Sequence, residues 1–186
     1  MKNGILLSAC SLLLVSASTV SATQARTPDR GRGGRAQVAV DAATAQIKSK
    51  AALLQHISRN PDSPLHKLPP PVLQNFVDSL VFTSRGLGSY SYLGLSSYLT
   101  TAEIYQVIAL LGAQHSVAHI PALKISSPID ALIVRPMSDV CEDPDSPMCE
   151  VNGGKAKTDY VCSIDWGTEY TCNFSFGDIC ASNCGK

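Results

Sequence analysis

The chain has 186 residues, 15 basic and 15 acidic side chains, 45% hydrophobic residues and seven cysteines. This length fits one domain, or one domain with a small additional module. The formal net charge is zero, which excludes a protein that binds nucleic acid through a large excess of positive charge. These averages hide segments of different composition.

The first 25 residues have the pattern of a cleaved secretory signal. Lys2 precedes an apolar stretch over 5–15, and small residues follow it. This stretch is shorter than the roughly 20 residues that a membrane-spanning helix needs. We expect cleavage after Ala22 or Ala25 and a mature chain without a transmembrane segment. Leu7-Ser8-Ala9-Cys10 resembles a lipobox, so lipidation of Cys10 is the alternative.

Residues 26–37 form a segment rich in Gly, Pro and Arg, for which we predict a disordered basic linker. Residues 26–67 hold eight basic and three acidic side chains, whereas residues 141–186 hold three basic and eight acidic ones. A basic head and an acidic tail attract each other over a Debye length of about 10 Å. Contact between them is one expectation, and two separately solvated ends are the other. Nucleic acid is not an expected partner, since exported chains seldom meet it.

Residues 38–140 have the pattern of a helical domain. From Val38 the pattern is helical, and apolar residues recur at steps of three and four: Val40, Ala43, Ile47, Ala51, Leu54 and Ile57. A second apolar face follows over 72–80, and we expect Arg85-Gly86-Leu87-Gly88 to end this helix. Thr100 and Glu103 match a capping box at the start of a third helix, and Gly112 suits its C-terminal cap. The run 131–134 fits a strand or a helix equally well, and 89–98 has no clear pattern.

Motifs for catalysis and cofactor binding are missing from the sequence. His115 and His119 have the spacing of two zinc ligands on a helix, but no glutamate of the HExxH kind lies between them. Tyr90, Tyr92 and Tyr98 either stack on a ligand or pack half-buried. We therefore predict no catalytic, cofactor-binding or metal-binding residues. An enzyme with a dispersed site is the least supported class.

The last 46 residues form a module that is rich in cysteine. An even number of thiols behind an export signal predicts disulfides rather than a metal site, and the spacing lacks the two-residue gap of zinc ribbons. All six cysteines are therefore expected to be paired: Cys141, Cys149, Cys162, Cys172, Cys180 and Cys184.

Aromatic, aliphatic and Cys residues recur at every second position over 160–164 and 170–176, which predicts a β-hairpin. A short loop then places Cys162 opposite Cys172, at a Cα separation that a disulfide accepts. We predict a Cys162–Cys172 bond, and a Cys180–Cys184 bond is an alternative in a tight turn. Trp166 at the hairpin tip either anchors a partner or folds back on the module.

The sequence thus predicts a mainly α N-terminal region, 38–140, followed by a small disulfide-rich module with a β-hairpin, 141–186. This order of signal, linker, helices and Cys-rich end resembles secreted bacteriocin precursors, such as those related to fulvocin C. The resemblance lies in architecture and cysteine content and covers about the last quarter of the chain. It implies a secreted or periplasmic precursor whose C-terminal antimicrobial, toxin-like peptide acts on a protein or cell-surface target.

The alternative is a non-catalytic periplasmic or extracellular binding or structural protein, in which helices and tail form one unit and nothing is released. The two hypotheses differ in a structural consequence. A Cys-rich tail that buries its apolar face on the helices favours the binding protein, because release would then expose that face to water.

Overall fold

The computed structural model describes residues 38–134, 156–165 and 167–185. Within these ranges, residues 38–44 are helical (α1), and two short 3-10 helices cover Pro64–Lys67 and Gln114–His119. The other helices are Lys50–Arg59 (α2), Pro70–Ser79 (α3), Leu93–Tyr98 (α4), Thr101–Leu110 (α5) and Pro128–Val134 (α6). The strands are Val81–Thr83 (β1), Gly86–Ser91 (β2), Lys157–Ile164 (β3) and Tyr170–Cys180 (β4). The fold is therefore mixed α/β, with the predicted C-terminal hairpin present.

Several sequence predictions lie outside the described residues. They concern the signal and linker over 1–37 and the side chains of Cys141, Cys149 and Trp166. These stay predictions, as do the contact between the basic head and the acidic tail and the domain boundaries.

The first predicted helix is in fact two helices. Ser49 lies between them, and its side chain accepts a hydrogen bond from the backbone N–H of Ala52, which starts α2. This new start shifts the helical phase, so Leu53 and Ile57 are buried while Leu54 is 50% exposed. The periodicity had placed Leu54 on the buried face, and this placement was wrong.

The predicted second helix is confirmed as α3, but the segment after it is not a simple helix terminator. It forms the antiparallel strands β1 and β2. Gly86 takes a φ of 120° where β2 begins, a conformation that a side chain would strain. Tyr90 and Tyr92, which the sequence left unassigned, are buried, whereas Tyr98 is 50% exposed. The run 131–134 belongs to helix α6.

The capping box of α5 is confirmed. The Thr100 hydroxyl accepts from the Glu103 N–H at 3.3 Å, and the Thr100 N–H donates to Glu103 Oε2 at 3.0 Å. Lys67 forms an ion pair with the same carboxylate. Gly112 follows the helix with a φ of 70°, and a Cβ there would meet the Asp41 carbonyl oxygen at 2.5 Å.

Replacing Thr100 with alanine is expected to lower the free energy of unfolding by about 1 kcal/mol, because the Glu103 N–H loses its acceptor. Urea denaturation at neutral pH measures this change. Thr100→Ser retains the hydroxyl and is the matched control, which we expect close to wild type. An alanine variant as stable as the serine variant would contradict the capping role.

Helix α6 is tied to α5 by a buried carboxylate. Asp130 is 2% exposed, and its oxygens accept from the backbone N–H groups of Ala102 and Ser126 at 3.1 and 3.0 Å. The hydroxyl of Ser126 donates to the same carboxylate at 2.9 Å. These hydrogen bonds, led by the one from the Ser126 side chain, hold the pKa of Asp130 below its ordinary value.

One antiparallel sheet joins two strands from within the helical region to the C-terminal hairpin. Its strand order is β1-β2-β4-β3, and β2 pairs with β4 through Tyr90 opposite Ile179. Ala156, Ile179 and Ala181 are buried in the same hydrophobic core as the helices. The tail therefore buries apolar side chains against the helical region. Among the described helices, none has the length and apolarity to cross a membrane.

Candidate functional site

The predicted hairpin register is confirmed. Strands β3 and β4 are antiparallel, with Cys162 opposite Cys172 and Ile164 opposite Tyr170. Because side chains alternate along a strand, Tyr160, Cys162 and Ile164 share a face with their partners Phe174, Cys172 and Tyr170, whereas Val161 lies on the other face opposite Asn173. On the other face, Asn173 Nδ2 donates to Ser163 Oγ at 2.8 Å. One face of the hairpin is therefore mainly apolar, and the other carries polar side chains together with Val161.

The predicted Cys162–Cys172 disulfide is wrong, although the two residues do face each other. Cys162 is bonded to Cys184, and Cys172 to Cys180, with Cα separations of 5.6 and 5.9 Å. The alternative Cys180–Cys184 bond is not formed either. After β4 the chain turns, with the Cys184 N–H donating to the Ala181 carbonyl at 3.0 Å. This turn brings Cys184 to Cys162. The facing positions of Cys162 and Cys172 would have allowed a bond between them, but the turn supplies a different partner for Cys162.

The two disulfides are in close contact with each other. The sulfur atoms of Cys162, Cys180 and Cys184 all lie within 4.8 Å of one another, and Cys172 is bonded to Cys180. Cys162 is 1% exposed and Cys180 is fully buried. Strand β2 approaches closely at Gly88, where a Cβ would lie 2.8 Å from the Cys162 sulfur. We call Cys162, Cys172, Cys180 and Cys184 the sulfur cluster.

Asp159 holds the base of the hairpin. The pairing of β3 with β4 shifts register beside it, and Asp159 itself has a φ of 62°. Its Oδ1 accepts from the Tyr92 hydroxyl and from the Gly177 N–H, both at 2.9 Å. Burial, aided by the hydrogen bond and negative charge of Asp159, raises the pKa of Tyr92 to about 12. The neutral Tyr92 hydroxyl thus acts as a donor that links the hairpin to the rest of the sheet.

The apolar face of the hairpin beyond the sulfur cluster is open to solvent. Phe174 is 75% exposed, Phe176 72% and Ile164 53%. The Tyr160 ring meets Phe174 edge-on with centroids 6.0 Å apart, and Lys157 Nζ lies 5.5 Å from the Tyr160 centroid. We call Tyr160, Ile164, Phe174 and Phe176 the aromatic face. Clustered exposed aromatic side chains are typical of interaction surfaces.

The charge around the aromatic face is negative. Over residues 157–180 the sequence has one basic side chain, Lys157, and four acidic ones. The acidic residues are Asp159, Asp165, Glu169 and Asp178. This balance attracts basic surfaces and repels anionic lipid and nucleic acid.

His115 and His119, which have the spacing of two zinc ligands on an α-helix, lie on the 3-10 helix Gln114–His119. With about three residues per turn, a spacing of four does not stack His115 over His119 as it would on an α-helix. Both ring nitrogens of His115 are buried, and within the described part of the chain neither has a hydrogen-bond partner. His119 is exposed.

Comparisons of the chain with protein-family models, with curated proteins and with solved structures give no match. The sequence offered Trp166 as a possible partner contact, with folding back on the module as the alternative, and it did not distinguish Phe174 and Phe176. Their alternation with polar residues was visible, but it predicts only that they share a face. Whether another part of the chain covers that face depends on the packing of the whole fold.

Proposed function

We propose that the protein is an exported, non-catalytic binding protein whose helices and disulfide hairpin act as one unit. The pairing of β2 with β4, together with the burial of Ile179 and Ala181 in the shared core, carries this proposal. A released C-terminal peptide would lose these contacts and expose apolar surface to water. The geometry therefore favours a binding protein over a precursor of a bacteriocin-like peptide.

The aromatic face is the proposed contact surface, and its target is a protein. Exposed phenylalanine rings fill apolar pockets and contribute strongly to protein interfaces. The acidic side chains around them disfavour an anionic membrane and complement a basic protein surface. The target surface is thus an apolar pocket with a basic rim.

Export is part of the proposal because of the disulfides. The bonds Cys162–Cys184 and Cys172–Cys180 form and persist in oxidising compartments and are rare in reducing ones. We therefore place the activity in the periplasm or outside the cell. The predicted secretory signal over 1–25 supports the same location.

Non-reducing intact mass spectrometry tests whether helices and tail stay together. The protein is recovered from the envelope and medium of the cell that produces it. We expect one chain that contains both the helical region and the disulfide hairpin. A peptide that carries only the C-terminal cysteines would overturn the proposal in favour of the bacteriocin-like precursor.

Replacing Phe174 and Phe176 with serine is expected to weaken target binding at least about tenfold, a loss typical of removing interface anchors. The target is isolated by cross-linking to the wild-type protein in envelope extracts, then purified, and its affinity is measured by calorimetry. Val40→Ser/Leu54→Ser is the matched control, because these side chains are 52% and 50% exposed elsewhere. A target that binds the Phe174→Ser/Phe176→Ser variant as tightly as it binds the control would rule out the aromatic face as its site.

A further inference from the structure

We propose that the reduced chain binds one Zn²⁺ ion through the thiolates of the sulfur cluster, Cys162, Cys172, Cys180 and Cys184. Three of these sulfur atoms already lie within 4.8 Å of one another, and the fourth is bonded to Cys180. Tetrahedral coordination at a Zn–S distance of about 2.3 Å requires sulfur atoms about 3.8 Å apart. Once both disulfides are reduced, the four sulfur atoms have to separate only to this spacing to offer a four-sulfur site.

The backbone supplies the ligands as two pairs, as structural zinc sites do. Cys180 and Cys184 are separated by three residues, within the two to four typical of such sites, and a hydrogen-bonded turn joins them. Cys162 and Cys172 lie opposite each other on β3 and β4. Each disulfide joins one cysteine of the 180–184 pair to one cysteine of the strands, so both pairs belong to the same cluster.

The sequence had pointed away from zinc because no two-residue gap separates any two cysteines. That criterion is too narrow here, since the second pair comes from two strands rather than from one turn. Four thiolates favour Zn²⁺ over Mg²⁺ or Ca²⁺, which prefer oxygen ligands. Burial of Cys162 and Cys180 favours neutral thiols over free thiolates, so deprotonation of these side chains requires the compensating positive charge of the ion.

The conversion of the disulfide form into the zinc-bound form is balanced in atoms and electrons. Two equivalents of a dithiol or phosphine reductant supply four electrons, and with four protons the two disulfides become four thiols. Zn²⁺ then displaces the four protons as the thiolates coordinate. The cluster is thus closed by two disulfides in an oxidising compartment and by zinc in a reducing one.

Cobalt and zinc titrations of the reduced full chain test the proposal. A Cys10→Ser/Cys141→Ser/Cys149→Ser variant leaves only the four cluster thiols. After reduction, we expect one equivalent of Co²⁺ to give the intense visible absorption of tetrahedral cobalt–thiolate, and one equivalent of Zn²⁺ to abolish it. The oxidised protein should show no such absorption.

X-ray absorption of the zinc form provides a readout that does not depend on disruptive variants. We expect four sulfur ligands at about 2.3 Å. Fewer sulfur ligands, no tetrahedral cobalt absorption, or absorption that is lost when only Cys141 and Cys149 are replaced would each overturn the proposal.

Discussion

Replacing both Cys162 and Cys184 with serine is expected to lower the free energy of unfolding by about 3.4 kcal/mol at 25 °C. The bond joins residues 22 apart in sequence, and its removal restores loop freedom to the unfolded chain. The Cys172–Cys180 bond joins residues only 8 apart, so the same model gives about 2.5 kcal/mol for its removal. Double substitutions leave no free thiol in the cluster that would exchange with the remaining bond.

Contacts in the folded state add to the expected difference in stability between the two double variants. Thr83 Oγ1 donates to the Asn183 carbonyl at 3.0 Å, and the Arg85 guanidinium donates to the Gly185 carbonyl. Both contacts depend on the C-terminal turn that the Cys162–Cys184 bond holds in place. Urea denaturation under non-reducing conditions compares the Cys162→Ser/Cys184→Ser and Cys172→Ser/Cys180→Ser variants. Equal stabilities, or a less stable second variant, would contradict the assigned pairing.

Local interactions explain which elements the sequence predicted well. The hairpin register follows from alternation on both sides of a short loop, and the capping box follows from Thr100 and Glu103 alone. Helix α3 likewise begins at prolines that restrict its first turn. In each case the deciding contacts lie within a few residues of one another.

Long-range contacts explain what the sequence did not predict. Strand β2 contains Gly86 and Gly88, and these glycines suggested the end of a helix rather than a strand. Besides its local pairing with β1, β2 pairs with β4 at the far end of the chain, and a Cβ at Gly88 would collide with the Cys162 sulfur. Periodicity in either segment carries no information about the other.

The candidate site depends on both local and long-range contacts, so the sequence predicted only part of it. Alternation predicted that Tyr160, Ile164 and Phe174 lie on the same face of the hairpin, and the strand register confirms it. The disulfide partners depend on the return of the chain after Cys180, which no pattern in β3 or β4 specifies. The exposure of Phe174 and Phe176 depends on where the helical region ends against the sheet, so it too required the fold.

Acidification between about pH 6.5 and pH 4 is expected to remove up to about 3 kcal/mol of stability through His115. Burial, which is the main cause, lowers the pKa of His115 to about 4, and the positive charge of His119 lowers it further while Asp41 opposes both. The unfolded chain has a histidine pKa of about 6.5, so it takes up this proton at a higher pH than the folded chain. The contribution of neutral His115 is therefore complete above the unfolded pKa and disappears as the pH falls towards the folded one.

Urea denaturation from pH 7.5 down to pH 4 measures this effect. His115→Leu removes the titrating group, so its stability should change much less over the interval than that of the wild type. Glu103 and Asp130 have lowered pKa values, so their stabilisation is complete above the ordinary carboxyl pKa and is lost as the pH falls through and below it. The slope between pH 6.5 and pH 5 therefore reports on histidine rather than carboxylate protonation. A His115→Leu variant with the wild-type slope there would show that His115 is not the buried group that acid must charge.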